Sequence, residues 1–222
     1  MTRKRFFIIS ILTAFVLITF NVTNSSADSW QQVLQKSRDL EGYYYKTPYK
    51  FSNNHIGIMQ VWHQGYHRRV EMTNSINGET MVLLTRQTDG AFYQIDPKAN
   101  EGIVYYYTDV ELLPQDLDET RYAVAENRFD QTFIEKVSSV EELVYQNQPV
   151  YRLENKSTHG GNEEVYRVWI SKELGLPLKE EMHMADGRVH RRIYTEIQEG
   201  PFSQEIFQLP QELKIVKEIQ FN

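Results

Sequence analysis

The chain has 222 residues, no cysteine, and 24 basic against 30 acidic side chains, a formal net charge of −6. Without cysteine there can be no disulfide, no thiol nucleophile and no lipid attached through an N-terminal thiol. Arg3, Lys4 and Arg5 all lie in the first segment, so the remainder carries about −9, which gives no electrostatic reason to hold nucleic acid or an anionic bilayer surface.

Arg3-Lys4-Arg5, the apolar run 6–20 and the small residues Asn24-Ser25-Ser26-Ala27 read as an export signal, residues 1–27, cleaved after Ala27. The run is long for a signal and short for a membrane span, so retention as an anchor is the alternative. Residues 28–222 are then one domain, placed in the periplasm or on the outer face of the cytoplasmic membrane. Asp28 or Ser29 can cap a first helix carrying Trp30, Val33, Leu34 and Leu40 at helical spacing, with Ser37 on the same face and Gly42 as the stop.

Beyond Gly42 the text turns β-branched and aromatic, broken by turn signals every 8–12 residues or so. Strands are expected over 43–52, 56–63, 66–74, 80–86, 91–96 and 103–108, with turns at Asn53-Asn54, Gln64-Gly65, Asn77-Gly78, Asp89-Gly90 and Asn100-Glu101-Gly102. Between Leu112 and Val137 glycine vanishes and one or two helices are expected. Strands resume over 140–145, 150–154, 164–171, 178–184, 189–198 and 214–220, with loops at 156–162 and 200–203. Sequential hairpins leave no room for parallel crossovers, so the sheet should be antiparallel and strongly curved, with helices laid across it.

Strict alternation sorts the faces. Leu178, Met182 and Met184 share one with Glu180, against Lys179, Glu181 and His183. Val189, Ile193 and Ile197 lie opposite His190, Arg192, Tyr194 and Glu196, and Val70 and Met72 lie opposite Arg69, Glu71 and Thr73. One face is thus apolar and methionine-bearing, the other charged. The apolar face is either a core packed under the helices or a cavity for a flexible apolar guest, a role that the unbranched, polarizable methionine side chain suits.

Catalytic signatures are missing: there is no Gly-x-Ser-x-Gly elbow, no phosphate-binding glycine loop and no His-Glu-x-x-His. His63 and His67 flank a turn that pairs 63 with 66 and sets the two imidazoles on opposite faces, against a shared metal. His159, His183 and His190 read as solvated. The pairs Glu141-Glu142, Glu163-Glu164 and Glu180-Glu181 are adjacent in sequence and diverge in strands. Tyr43-Tyr44-Tyr45 and Tyr105-Tyr106-Tyr107 fit cross-strand packing better than a stacking site.

Four stretches in chain order carry a resemblance: Arg69-Val70-Glu71 at a hairpin; Thr88-Asp89-Gly90-Ala91-Phe92-Tyr93-Gln94-Ile95-Asp96-Pro97; the Trp169 strand followed by Leu176-Pro177 and Asp186-Gly187; and Phe207-Gln208-Leu209-Pro210. Together they resemble the LolA/LolB/RseB superfamily, in which an unclosed half-barrel of about 11 strands is covered by helices. The stretch 56–71, with Trp62-His63 and Arg68-Arg69-Val70-Glu71, is similar to the N-terminal domain of RseB. The resemblance implies a non-enzymatic, cofactor-free protein that holds acyl chains of lipids or lipoproteins, as a lipoprotein carrier or, alternatively, as an envelope-stress regulator that binds a membrane-anchored partner protein. On this reading the chain is a monomer that binds no metal. Its lining is expected at Val70, Met72, Leu83, Tyr93, Trp169, Met182, Met184 and Ile193, with Leu112, Leu113, Leu117 and Tyr122 on the lid.

Overall fold

A computed structural model of the protein describes residues 28–50, 56–86, 91–107, 129, 131–159 and 162–221. The export segment, the Asn53-Asn54 and Asp89-Gly90 turns, most of the central helical stretch and all four expected lid residues lie outside them. Among the described residues no helix is long and apolar enough to cross a membrane.

Helix α1 spans Trp30–Asp39. Ser29 starts it with a reciprocal cap: its Oγ accepts from the Gln32 backbone N–H at 3.3 Å, and Gln32 Oε1 accepts from the Ser29 N–H at 2.7 Å. Lys36 and Arg38 in the last turn suit the negative end of the helix dipole. The chain leaves the helix at Leu40, earlier than Gly42, which instead opens the first strand. Gly42 is small for a different reason: a Cβ there would stand 2.7 Å from the His63 carbonyl oxygen.

The strands are β1 Gly42–Lys50, β2 Ile56–Gln64, β3 His67–Asn74, β4 Thr80–Arg86, β5 Ala91–Asp96, β6 Glu101–Tyr107, β7 Val137–Tyr145, β8 Gln148–His159, β9 Asn162–Ser171, β10 Pro177–His183, β11 Val189–Ile193, β12 Thr195–Glu199 and β13 Lys214–Phe221. They form an eight-stranded sheet, β12-β1-β2-β3-β4-β5-β6-β13, and a five-stranded sheet, β11-β10-β9-β8-β7. Neither closes into a barrel. The chain passes from the second sheet back to the first within one short stretch: the single strand expected over 189–198 breaks at Tyr194 and Glu196, the latter with φ 52°, so its first half pairs with β10 and its second half with β1. The sheets are antiparallel except at one edge, where β13 runs parallel to β6, a pairing that sequential hairpins do not predict.

Two expectations about connections change. The 156–162 stretch is a hairpin rather than a loop, with Ser157 opposite Glu164 and His159 opposite Asn162. Lys156, Ser157 and Thr158 are exposed, so this tip needs only its ladder bonds and shows no apolar alternation. The β2–β3 turn sits one residue later than expected, with Gln64 opposite His67 and His63 opposite Arg68. The two histidines still stand on opposite faces, since Tyr43 stacks on His63 and Phe207 lies against His67.

Candidate functional site

The larger sheet is apolar on both faces. One face buries Tyr45, Met59, Val61, Val70, Met72, Leu83, Phe92 and Tyr105. The other buries Val82, Leu84, Ala91, Tyr93, Ile95 and Val104 beneath the segment 202–213, whose Phe207 is only 3% exposed. Arg69 and Glu71 pair on this second face at 2.7 Å, and Arg69 also donates to the Ile206 carbonyl, which ties the segment down.

Helix α1 lies across the smaller sheet, with Val33 and Leu34 against Tyr151, Leu153, Val168 and Ile170. Burying two such side chains contributes about 1.5–3 kcal/mol each. The last turn of the helix, with Ser37 and Arg38, and Leu40 just beyond it face the first face of the larger sheet across a hollow of about 530 Å³. Its walls are Tyr43, Tyr45, His63, Tyr66, Arg68, Phe129, Leu176, Pro177, Tyr194 and Ile197. Tyr194, 2% exposed, meets Tyr45 edge-on with ring centroids 4.9 Å apart, and Tyr43 stacks on His63 at 4.8 Å. Arg38 donates to the Phe129 carbonyl at 2.6 Å, holding that ring at the mouth. A second, more open hollow lies toward the other end of the same sheet face, over Met72, Met81 and Ile103.

The expected lining residues divide by face. Val70, Met72 and Leu83 stand on the face shared with Tyr45, and Met72 also borders the second hollow. Met182 is opposite Tyr166, on the α1 side of the smaller sheet, half-buried. Met184 follows the end of β10, where its N–H donates to the Arg188 carbonyl. Tyr93 stands on the opposite face of its sheet from Val70, Met72 and Leu83, under the 202–213 segment. Trp169 and Ile193 also face away from α1: both oppose Lys179, whose Nζ lies 4.2 Å from the Trp169 ring centroid.

The cause in the smaller sheet is a register shift between Pro177 and Lys179. It sets Leu178 on the same side as Lys179, in a cluster with Val150 and Trp169, rather than with Met182. The charged and apolar faces therefore do not separate. Glu181, 7% exposed, accepts from Lys179 at 2.9 Å, Arg191 at 3.0 Å and His183 at 3.1 Å. His183 is thus engaged and half-buried, not merely solvated. Burial pushes the Glu181 carboxyl up, but these three donors outweigh it and hold it at about 2.

The sequence reading missed Tyr43, Tyr45, Ser37, Arg38, His63, Arg68 and Tyr194 as wall residues. His63 is the most informative: burial, helped by the Arg68 charge, lowers its pKa to about 4, so it is neutral at pH 7. The unfolded chain, near 6.5, binds the proton first. The stability contributed by the neutral ring is therefore full above about 6.5 and is lost as pH falls toward 4, by about 3 kcal/mol in total. Thermal melts of wild type are expected to fall across that window, and His63→Gln should flatten the fall. An equal slope in the variant would contradict the assignment.

The sequence matches no protein-family profile and no curated relative. Solved structures do match. An uncharacterized conserved protein from Thermus thermophilus superposes with TM-score 0.55 at 12% identity, over 86% of this chain and 99% of that one. MucB, an RseB-like protein, gives 0.54 at 16% identity over 86% of this chain. The chain has an RseB-like fold. The Pseudomonas aeruginosa MucA/MucB complex gives TM-score 0.51 at 16% identity over 84% of this chain. The matched region spans 65% and 62% of the MucB chains in those two structures.

Proposed function

We propose that the protein is an exported, non-enzymatic binding protein that holds an acyl chain of a lipid or lipoprotein against the α1-bearing face, in lipoprotein carriage or sorting. The observation that carries this reading is the hollow of about 530 Å³ between α1 and the tyrosine-lined sheet face. Its size falls within the range of about 300–1,000 Å³ usual for small-molecule sites. Val70 and Leu83, 1% and 3% exposed, are packed core behind this hollow, Met72 borders the second one, and Met182 is half-buried on the α1 side of the smaller sheet. Each methylene moved from water onto such a surface contributes about 0.8 kcal/mol, so a long chain binds without any specific polar contact.

A second reading has one observation in its favour, the likeness to a MucB that was solved in complex with MucA. On that reading the domain senses lipid and regulates a membrane-anchored partner protein. In-cell cross-linking separates the two: a carrier traps many acylated clients, a sensor one fixed partner.

The test of the shared core is titration of the delipidated protein with a fluorescent fatty-acid probe. Saturable one-to-one binding, reversed by palmitate, is expected. A signal that never saturates, or that palmitate leaves untouched, would overturn the proposal.

A further inference from the structure

We infer that the end of the larger sheet far from α1 is a bilayer-docking rim, which rests the protein on a zwitterionic lipid surface through separate isoleucine and valine side chains. This goes beyond the acyl-binding reading and does not depend on it. Among the described residues, the strongly exposed aliphatic side chains of the larger sheet are Ile56, Ile58, Ile76, Ile215 and Val216, between 37% and 69% exposed. All five lie at one end of it. Ile56 and Ile58 begin β2, and Ile76 is in the β3–β4 turn, where the Ser75 N–H donates to the Ile56 carbonyl at 3.2 Å. Ile215 and Val216 are near the start of β13, with Ile215 opposite Gly102 near the start of β6. Between the two groups lies the second hollow, lined from Asn77 and Gly78 of the turn across to Val216.

Leaving branched aliphatics in water is unfavourable, and exposed apolar groups gathered in one place mark a surface for a protein or a membrane. Composition separates the two. Protein interfaces are anchored by aromatic rings and arginine. At this end, among the described residues, there is no arginine and no strongly exposed aromatic ring. The five side chains also come from a turn and two strand ends around an opening, rather than from one flat face. Such separate points suit the interfacial layer of a bilayer, where each side chain finds apolar surroundings without a matching shape.

Charge names the kind of bilayer. Lys50, Lys98 and Lys214 at this end stand against Glu79, Asp96, Glu101 and Glu212, and Lys214 is paired with Glu101 at 3.4 Å. With no cationic excess, anionic lipid adds no attraction. The lysine stems can lie along the apolar groups with their ammonium heads in the phosphate layer.

The chain contains no cysteine, so one introduced cysteine carries an environment-sensitive NBD label at a single position. The test compares labelled Ile76→Cys, Val216→Cys and Val144→Cys, the last at a 69% exposed position on β7 of the smaller sheet. With phosphatidylcholine vesicles and no other protein, the labels at 76 and 216 should brighten and shift to the blue, while the label at 144 keeps its aqueous emission. Adding phosphatidylglycerol to the vesicles should leave the response unchanged or weaken it. With the label at 216, the paired change Ile56→Asp and Ile76→Asp should raise the lipid concentration needed for half the response by about tenfold. Both positions are exposed, so the melting temperature should stay within a few degrees of wild type.

Aqueous emission at 76 or at 216 in phosphatidylcholine vesicles would overturn the rim. So would an equal response at 144, a response that phosphatidylglycerol strengthens, or one that survives the paired aspartates. Ile56 and Gln64, at the two ends of β2, are about 26 Å apart at about 3.3 Å per residue. The aspartates thus leave the hollow under α1 untouched, and palmitate binding in the variant should match wild type.

Discussion

Gly175→Ala is expected to destabilise the protein by about 3–4 kcal/mol and to weaken acyl binding in whatever fraction remains folded. Gly175 sits in the turn between β9 and β10, where its N–H donates to the Ser171 carbonyl at 2.8 Å and the Leu176 carbonyl accepts from Ser171. Its φ is +70°, a left-handed conformation that costs a residue with a Cβ about 1–2 kcal/mol. The larger cost is contact. A Cβ would stand 2.2 Å from the Val33 carbonyl oxygen and 2.8 Å from the Ser37 amide nitrogen, both backbone atoms of α1. The helix must move off the smaller sheet, which loosens Val33 and Leu34 and displaces the wall formed by Ser37 and Arg38. Urea unfolding gives the stability change directly. A loss under about 1 kcal/mol would show that α1 tolerates displacement at this turn, against the packing described.

Ser37→Trp should act in the opposite sense, leaving the fold in place while filling the hollow. Ser37 lines the cavity and is half-buried, and its hydroxyl merely donates to the Leu34 carbonyl one turn back. An indole there occupies a substantial share of about 530 Å³ and meets Tyr45 and Tyr194 across the gap. Affinity for the fluorescent acyl probe should drop by about tenfold or more, with a melting temperature within a few degrees of wild type. Unchanged affinity in a folded Ser37→Trp protein would move the acyl site elsewhere. The two variants together distinguish loss of binding through a displaced wall from loss through an occupied cavity.

Much of the architecture was legible in the sequence because turns and strands leave strong local marks. Asn77-Gly78, Gly175-Leu176-Pro177 and Asp186-Gly187 bracket strands close to where they occur, and a cap at Asp28 or Ser29 before Trp30, Val33 and Leu34 announces α1. The assignment of faces was less legible, for identifiable reasons. Val82, Leu83 and Leu84 are all buried, so alternation in β4 cannot tell the two sides apart, and Tyr93 opposite Leu84 inherits that ambiguity. What covers its side is the segment 202–213, distant in sequence. At β10 a single extra residue shifts the phase, so counting from Leu178 gives the wrong partner set for Met182.

The candidate site was harder still. Tyr43 and Tyr45 were explained by strand packing, and both do pack, while also walling the hollow. Tyr194 falls among Arg188, His190, Arg192 and Glu196, a run that reads as a solvated edge. On β11 that side is the α1 side, with Arg192 opposite Glu180 and Glu180 opposite Val168, and Tyr194 meets Tyr45 edge-on there. Arg38 reads as a dipole-matched helix end, and Arg68 as one more charge beside a turn. No spacing rule in the chain brings those two cations to one cavity, because the joining of two sheets does it.

Native mass spectrometry of the protein purified after export, with no detergent and no added lipid, tests the central claim most directly. The account predicts a population heavier than the bare chain by one acyl-bearing molecule, lost on delipidation, restored by palmitate and missing from Ser37→Trp. A spectrum of the bare chain alone, unchanged by incubation with palmitate, would contradict it.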